Sequence, residues 1–199
     1  MRSLAIPALV AAMLAGMPAT LPAQTAPEPP AAAPESTPSA QGDLDALFSE
    51  LKNAPTAEAA KVAEAAILRR FLNSGSDTVD LLMTWAIDSM NKEDYALALD
   101  ILDNIVTMKP DYAEGWNKRA TVYYLADDYG KSLADIRRVL ALQPRHFGAL
   151  SGLGMIMREL GEKEKAIAAF REALAIDPFL ESVRKALDEL EKEAAGQPI

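Results

Sequence analysis

The chain has 199 residues, is 50% hydrophobic and 25% charged, and carries a formal net charge of −9. It has no cysteine, which excludes disulfides, thiol catalysis and zinc–thiolate sites. The acidic balance argues against a nucleic-acid surface, which needs a basic patch.

Residues 1–23, MRSLAIPALVAAMLAGMPATLPA, place Arg2 before an apolar run from Leu4 to Met17, followed by small residues and prolines. This is the layout of a secretory signal peptide, with cleavage expected after Ala23. Its loss removes one positive charge, so the net charge of −9 becomes −10. An uncleaved membrane anchor is the minor alternative, because the run is nearly long enough to span a bilayer. Residues 24–42 contain five prolines and few bulky apolar groups. That composition predicts an extended, flexible linker.

Residues 43–78 predict two helices. Leu44, Leu47, Phe48 and Leu51 stand at helical spacing, and Pro55 stops that run. Thr56 is placed to cap a second helix over 57–72, with a stripe of Ala59, Val62, Ala66, Leu68 and Phe71.

Prolines then fall at 110, 144 and 178, two intervals of 34 residues. The segments closing on them start at Val79, Ala113 and Phe147, and a fixed period of this size means stacked repeats. Numbered from those residues, position 8 is Ala86, Ala120 and Gly154, and position 20 is Ala98, Ser132 and Ala166. All six are small, which lets two helices cross closely. Position 4 (Leu82, Trp116, Leu150) and position 24 (Leu102, Ile136, Phe170) supply the large knobs. The closing prolines stand where the second helix of each unit has ended. Repeats therefore run 79–112, 113–146 and 147–180. A terminal helix follows in 181–199, with Val183, Leu187 and Leu190 on one face and charge elsewhere, as the cap of a solenoid requires.

Trp116, Ala120, Tyr123, Tyr129, Phe170, Ala173 and the three prolines give the chain its resemblance to the tetratricopeptide-repeat family. It is most similar in layout to small exported members from Gram-negative bacteria. The resemblance implies an all-α, right-handed solenoid of three helix-turn-helix repeats between N-terminal helices and a capping helix. It also implies a concave groove, lined by the first helices, that takes up a peptide or a partner helix. On this chain the groove residues become Met83, Ile87, Met90, Asn117, Lys118, Thr121, Tyr124, Ser151, Met155 and Arg158. The methionines offer an adaptable apolar floor, Asn117 a hydrogen bond, and Lys118 and Arg158 partners for carboxylates. Helix 57–72 is an alternative occupant of the first-repeat part. The carboxylate clamp of some members has lysine at position 5 and asparagine at position 9 of the first repeat. Met83 and Ile87 stand there, so a chaperone-tail partner is not expected.

Chemistry is otherwise sparse. His146 is the one histidine and sits at a repeat junction, where capping or packing a turn is its expected role. No nucleophile elbow, dinucleotide fingerprint or phosphate loop is present. Gly148, Gly152 and Gly154 fall along one helix, where they give either close packing or room for a ligand backbone, and close packing is the reading preferred for them. Arg119, at position 7, faces Asp135, at position 23 of the opposing helix, which predicts a structural ion pair. No catalytic residues, cofactor or metal are expected. The function read from the sequence is a non-catalytic protein–protein scaffold in the periplasm. Its partner is an envelope protein or peptide rather than a nucleic acid, and no integral span remains after cleavage. The alternatives are an accessory subunit of an envelope enzyme, or a self-associating module using Leu44, Leu47, Phe48 and Leu51.

Overall fold

The computed structural model describes residues 38–196, and side chains from Gly42 onward. Residues 1–37, the stretch read as a signal peptide and most of the stretch read as a linker, lie outside the described residues. Those described fold into helices joined by short turns: α1 (Pro38–Lys52), α2 (Ala57–Leu72), α3 (Asp77–Asn91), α4 (Tyr95–Met108), α5 (Ala113–Leu125), α6 (Tyr129–Leu142), α7 (Phe147–Glu159), α8 (Lys163–Ile176) and α9 (Glu181–Ala194). α1 begins at Pro38, inside the stretch read as linker.

Each repeat is one hairpin: α3 with α4, α5 with α6, α7 with α8. The turn between the two helices uses the same device three times. Glu93, Asp127 and Gly161, all at position 15, adopt positive φ of 60°, 57° and 75°. Asp94 N–H then reaches back to Ser89 O (2.9 Å), Asp128 N–H to Tyr123 O (2.8 Å) and Glu162 N–H to Met157 O (2.8 Å). This left-handed cap satisfies carbonyls that the helix end would leave bare. Asp94 and Asp128 next accept from the N–H of Leu97 and Lys131, starting α4 and α6.

The small residues at positions 8 and 20 are all buried. Ser132 Oγ donates to Ala120 O at 2.8 Å, so the second repeat ties its crossing with a hydrogen bond. In the third repeat the ring of Phe170 packs directly against Gly154, leaving no room for a Cβ there. α9 closes the end: Val183, Leu187 and Leu190 pack with Leu150, Ala166, Phe170 and Ala173, and its charged residues face outward.

The N-terminal pair does not continue the stack. α1 packs against α2 and touches α8, α2 touches α5, and neither packs along α3. Leu44, Phe48, Leu51, Ala60, Ala63, Ile67 and Phe71 form one cluster with Phe147, against Ile176, Phe179 and Leu180. The pair therefore lies across the junctions that follow α4, α6 and α8. Tyr112 Oη donates to Leu72 O at 2.8 Å, Arg145 pairs with Asp45, and its guanidinium sits 4.2 Å from the centre of the Phe48 ring.

Two expectations are corrected here. The buried stripe of α2 is Ala60, Ala63, Ile67 and Phe71, while Val62 is 73% exposed and Leu68 is exposed. In an alanine-rich helix several faces are almost equally apolar, so periodicity alone does not orient it. The docking of Phe71 beside His146 and Phe147 does. The α1 residues read as a self-association patch are spent inside the fold: Leu44, Phe48 and Leu51 are buried and Leu47 is half-buried.

One buried carboxyl near the docked pair is only half satisfied. Asp177, at the α8–α9 junction, is 0% exposed, and one oxygen accepts from Phe179 N–H at 2.9 Å while the other has no partner among the described residues. Burial pushes its carboxyl above the usual 3.8. Burial and then the nearby Asp177 charge likewise raise Glu64 of α2. A carboxyl raised by folding is neutral in the folded state where the unfolded chain is already ionised. The penalty is thus absent below about pH 3.8 and grows as pH rises from there through the folded-state value. Asp177→Asn keeps the acceptor and removes the charge. It is expected to raise stability by about 1–2 kcal/mol at pH 7 and by nothing at pH 3, read from urea midpoints at both pH values.

Candidate functional site

The first turns of α5 and α7 meet over a buried polar cluster. Glu114 and His146 are 4% and 2% exposed, and His146 Nε2 lies 2.9 Å from Glu114 Oε2. His146 Nδ1 accepts from Ala149 N–H at 3.1 Å, capping α7. An acceptor at Nδ1 leaves the proton of neutral imidazole on Nε2, where it is donated to Glu114. Lys118 Nζ stands 3.0 Å from Glu114 Oε1, and Asn117 Nδ2 donates to Oε2 at 3.2 Å. Burial alone would raise the Glu114 carboxyl. The hydrogen bond from His146 and the Lys118 charge outweigh it, so its pKa lies below the ordinary value. Phe71 of α2 stacks on the imidazole at 4.6 Å, which locks the N-terminal pair to this cluster.

Beside the cluster, the concave side of α5, α6 and α7 holds a cavity of about 290 Å³. Its walls include Asn117, Thr121 and Tyr124 from α5, Ile136 from α6, and Ser151 and Met155 from α7. Most of its polar groups already have partners. Thr121 Oγ1 donates to Asn117 O (2.9 Å) and Ser151 Oγ to Phe147 O (2.7 Å). What remains open is mostly apolar: Met155 is exposed and Tyr124 is half-buried, its ring 5.8 Å from that of Tyr129.

Gly148 and Gly152 also line this cavity. A Cβ built on Gly148 meets nothing nearer than His146 at 3.4 Å, and on Gly152 nothing nearer than Ile136 at 3.7 Å. The expectation of close packing holds for Gly154, where Phe170 would stand 2.3 Å away, and not for the other two. They leave bare backbone facing the cavity.

Other groove residues are placed differently. Met83 is 2% exposed, packed with Val79, Ala86, Leu102, Ile105, Tyr112 and Val122. It belongs to the core between α3 and α5 and offers nothing to a ligand. Ile87 and Met90 are half-buried against the same cluster. Asn117 and Lys118 turn inward to Glu114, and Arg158 lies 3.8 Å from Glu159. Position 2 of the first helix faces the groove by register, and Glu114 stands there in the second repeat. The signals for its burial were Lys118 one turn on and a lone histidine at the next junction.

Arg119 joins two repeats. Its Nε and Nη2 donate to Asp135 at 2.7 and 2.8 Å, and its Nη1 to Asp103 of α4 at 2.7 Å. The guanidinium also lies 4.8 Å from the Trp116 ring centre. Among the described residues no group of three or more histidines and carboxylates gathers as metal ligands, and no helix is long and apolar enough to cross a membrane.

Stacked helical hairpins of this kind define a helical-repeat protein. The chain belongs to the tetratricopeptide repeat family, whose pattern matches residues 111–178. A TPR repeat-containing protein of Rhizobium etli is 39% identical over 153 residues, covering 77% of this chain and 75% of that protein. DnaJ homolog subfamily C member 3 of Gallus gallus is 26% identical over 69% of this chain, which spans 27% of that protein. Among solved structures, MamA superposes with a TM-score of 0.56 at 20% identity, over 78% of this chain and 81% of its own. The first TPR domain of Spaghetti, bound to an HSP90 peptide, gives 0.57 at 18% identity, over 59% and 93%. Repeats of this family are protein–protein interaction modules, typically without catalysis.

Proposed function

We propose that the chain is an exported, non-catalytic scaffold of the bacterial cell envelope. It resides in the periplasm and holds a peptide or helix of an envelope protein in the cavity between α5 and α7. The carrying observation is the pair Gly148 and Gly152. Gly152 lies inside α7, where glycine costs about 1 kcal/mol relative to alanine, and Gly148 stands in the first turn of the same helix. Neither is required by packing, yet both line the cavity. Bare backbone there lets a partner chain approach closely. The space suits one bulky apolar anchor, because the polar walls are already bonded internally.

The test is in-cell crosslinking and recovery of partners. Gly152→Leu puts a side chain into the cavity from a position where an added Cβ meets nothing nearer than Ile136 at 3.7 Å, and Tyr124→Ala removes its aromatic wall. Each is expected to weaken capture of a specific envelope protein about tenfold or more, as loss of an interface anchor does. Helical circular dichroism should be unchanged. An unchanged partner set in both variants overturns the site. Export rests on the pattern of residues 1–23. It predicts a periplasmic chain beginning at Gln24; a full-length cytoplasmic chain would sink it.

A further inference from the structure

Position 31 closes the second helix of every repeat, and its side chain differs each time. Lys109 and Gln143 are the half-buried C-caps of α4 and α6. Asp177 is the C-cap of α8 and is fully buried. It stands between Ile176 and Phe179, both of which pack against the cluster formed by α1 and α2. Three features of this seat oppose a negative charge on Asp177. The C-terminal end of α8 is the negative pole of the helix, where a cation such as Lys109 is favoured and an anion is not. Water is excluded, and one carboxylate oxygen alone has a donor, Phe179 N–H. The docked α2 brings a second carboxyl, Glu64, close enough for the two charges to repel. The nearby cations are engaged elsewhere. Lys61 of α2 acts on Glu64, Arg145 pairs with Asp45 of α1, and Arg184 of α9 donates to Pro178 O. Lys52 of α1 lines an open cleft with Arg145 and Ile176. Asp177 therefore has no counter-ion among the described residues.

We infer that Asp177 makes the docking of α1 and α2 a proton-operated latch, closed more tightly when its carboxyl is protonated and loosened when it is ionised. When the helix pair lifts, Asp177 regains water and Glu64 moves away, so most of the penalty on the charge belongs to the docked state. A carboxyl that holds its proton more tightly when docked than when released favours docking as pH falls. Both carboxyls lie above their ordinary values, 3.8 for Asp177 and 4.5 for Glu64, with burial as the first cause. The latch closes progressively as pH falls toward the docked-state values, and the response is complete below about pH 3.8. A proton rather than a metal ion operates it. The seat is closed to solvent, and no group of three or more potential metal ligands gathers among the described residues. The movement bears on the cavity between α5 and α7. Phe71 of α2 stacks on His146, and His146 lies beside Gly148 at the cavity wall. The latch itself does not depend on what the cavity holds.

The test is amide hydrogen exchange of the purified chain at pH 7.5 and pH 4.5, corrected for the intrinsic effect of pH on exchange. Protection of α1 and α2, taken relative to α5, is expected to be about tenfold higher at pH 4.5. That is the effect of one carboxyl whose affinity for its proton is about tenfold greater in the docked state. Asp177→Asn keeps the acceptor for Phe179 N–H and is expected to show the higher protection at both pH values. Glu64→Gln should shrink the response without abolishing it. Equal relative protection of the wild type at the two pH values, a full response in Asp177→Asn, or an undiminished one in Glu64→Gln overturns the proposal. Calcium or potassium chloride that closes the helices at pH 7.5 in the wild type but not in Asp177→Asn also overturns it, by showing a cation in the seat. The wild-type and Glu64→Gln arms stand even where Asp177→Asn fails to fold.

Discussion

Arg119→Met is expected to cost about 3–5 kcal/mol, the range for stranding a buried charge. Asp135 is buried, and both of its oxygens take their hydrogen bonds from Arg119. Removing the guanidinium leaves that carboxylate without a partner and deletes the link to Asp103 of the preceding repeat. Arg119→Lys should recover little, because a point-like ammonium cannot bond both Asp135 oxygens and Asp103 from a fixed fork. The double variant Arg119→Met with Asp135→Leu should regain most of the loss, since an apolar pair of similar size carries no desolvation penalty. Urea unfolding of the four proteins checks this. A single variant within about 1 kcal/mol of wild type would place the pair with ordinary surface salt bridges.

Gly154→Ala is the second large effect, and its sign is the informative part. A helical Gly→Ala change ordinarily gains about 1 kcal/mol. Here the added methyl would stand 2.3 and 2.4 Å from ring carbons of Phe170, which is itself fully buried. Overpacking of this kind costs about 1–3 kcal/mol or more, so a net loss of about 2 kcal/mol is expected. For a chain of this size that lowers Tm by about 4–8 °C. Gly152→Ala, two residues earlier on the same helix, should go the other way by about 0.5–1 kcal/mol, because its nearest neighbour is at 3.7 Å. Shortening the ring with Phe170→Leu should make Gly154→Ala less harmful than it is alone. Equal melting temperatures for the two alanine variants would contradict the account.

The contrast between these glycines marks how far the sequence could be read. The 34-residue period, the small residues at positions 8 and 20, and the facing places of Arg119 and Asp135 follow from one repeating register. A register predicts whatever recurs. It does not predict what happens once. The placement of α1 and α2 is such a case: both helices were legible, but their docking depends on Phe71 at the end of α2, Tyr112 at the α4–α5 junction, and Arg145 and His146 at the α6–α7 junction. The burial of Glu114 is another, because position 2 lies on the groove side in every repeat. Only in the second repeat do His146 and the docked α2 cover it. Met83 fell on the groove by register and went to the core by the same route. With no earlier helix stacked on α3, side chains of the first repeat pack differently from their counterparts.

The position of α1 across the repeat junctions has a consequence for cooperativity. A linear array of repeats behaves as a one-dimensional chain of neighbours, and its terminal units fray independently of the far end. In this molecule Asp45 and Arg145 are bonded across 100 residues of sequence, and the first helix touches the eighth. That converts an open string of units into something closer to a loop. Loss of the last repeat also releases the first two helices, and the reverse holds. Opening one end therefore costs contacts at both, which favours all-or-none melting over gradual unzipping. The long-range closure also raises the entropy barrier that folding must cross, so this chain should fold more slowly than an unstrapped array of three repeats.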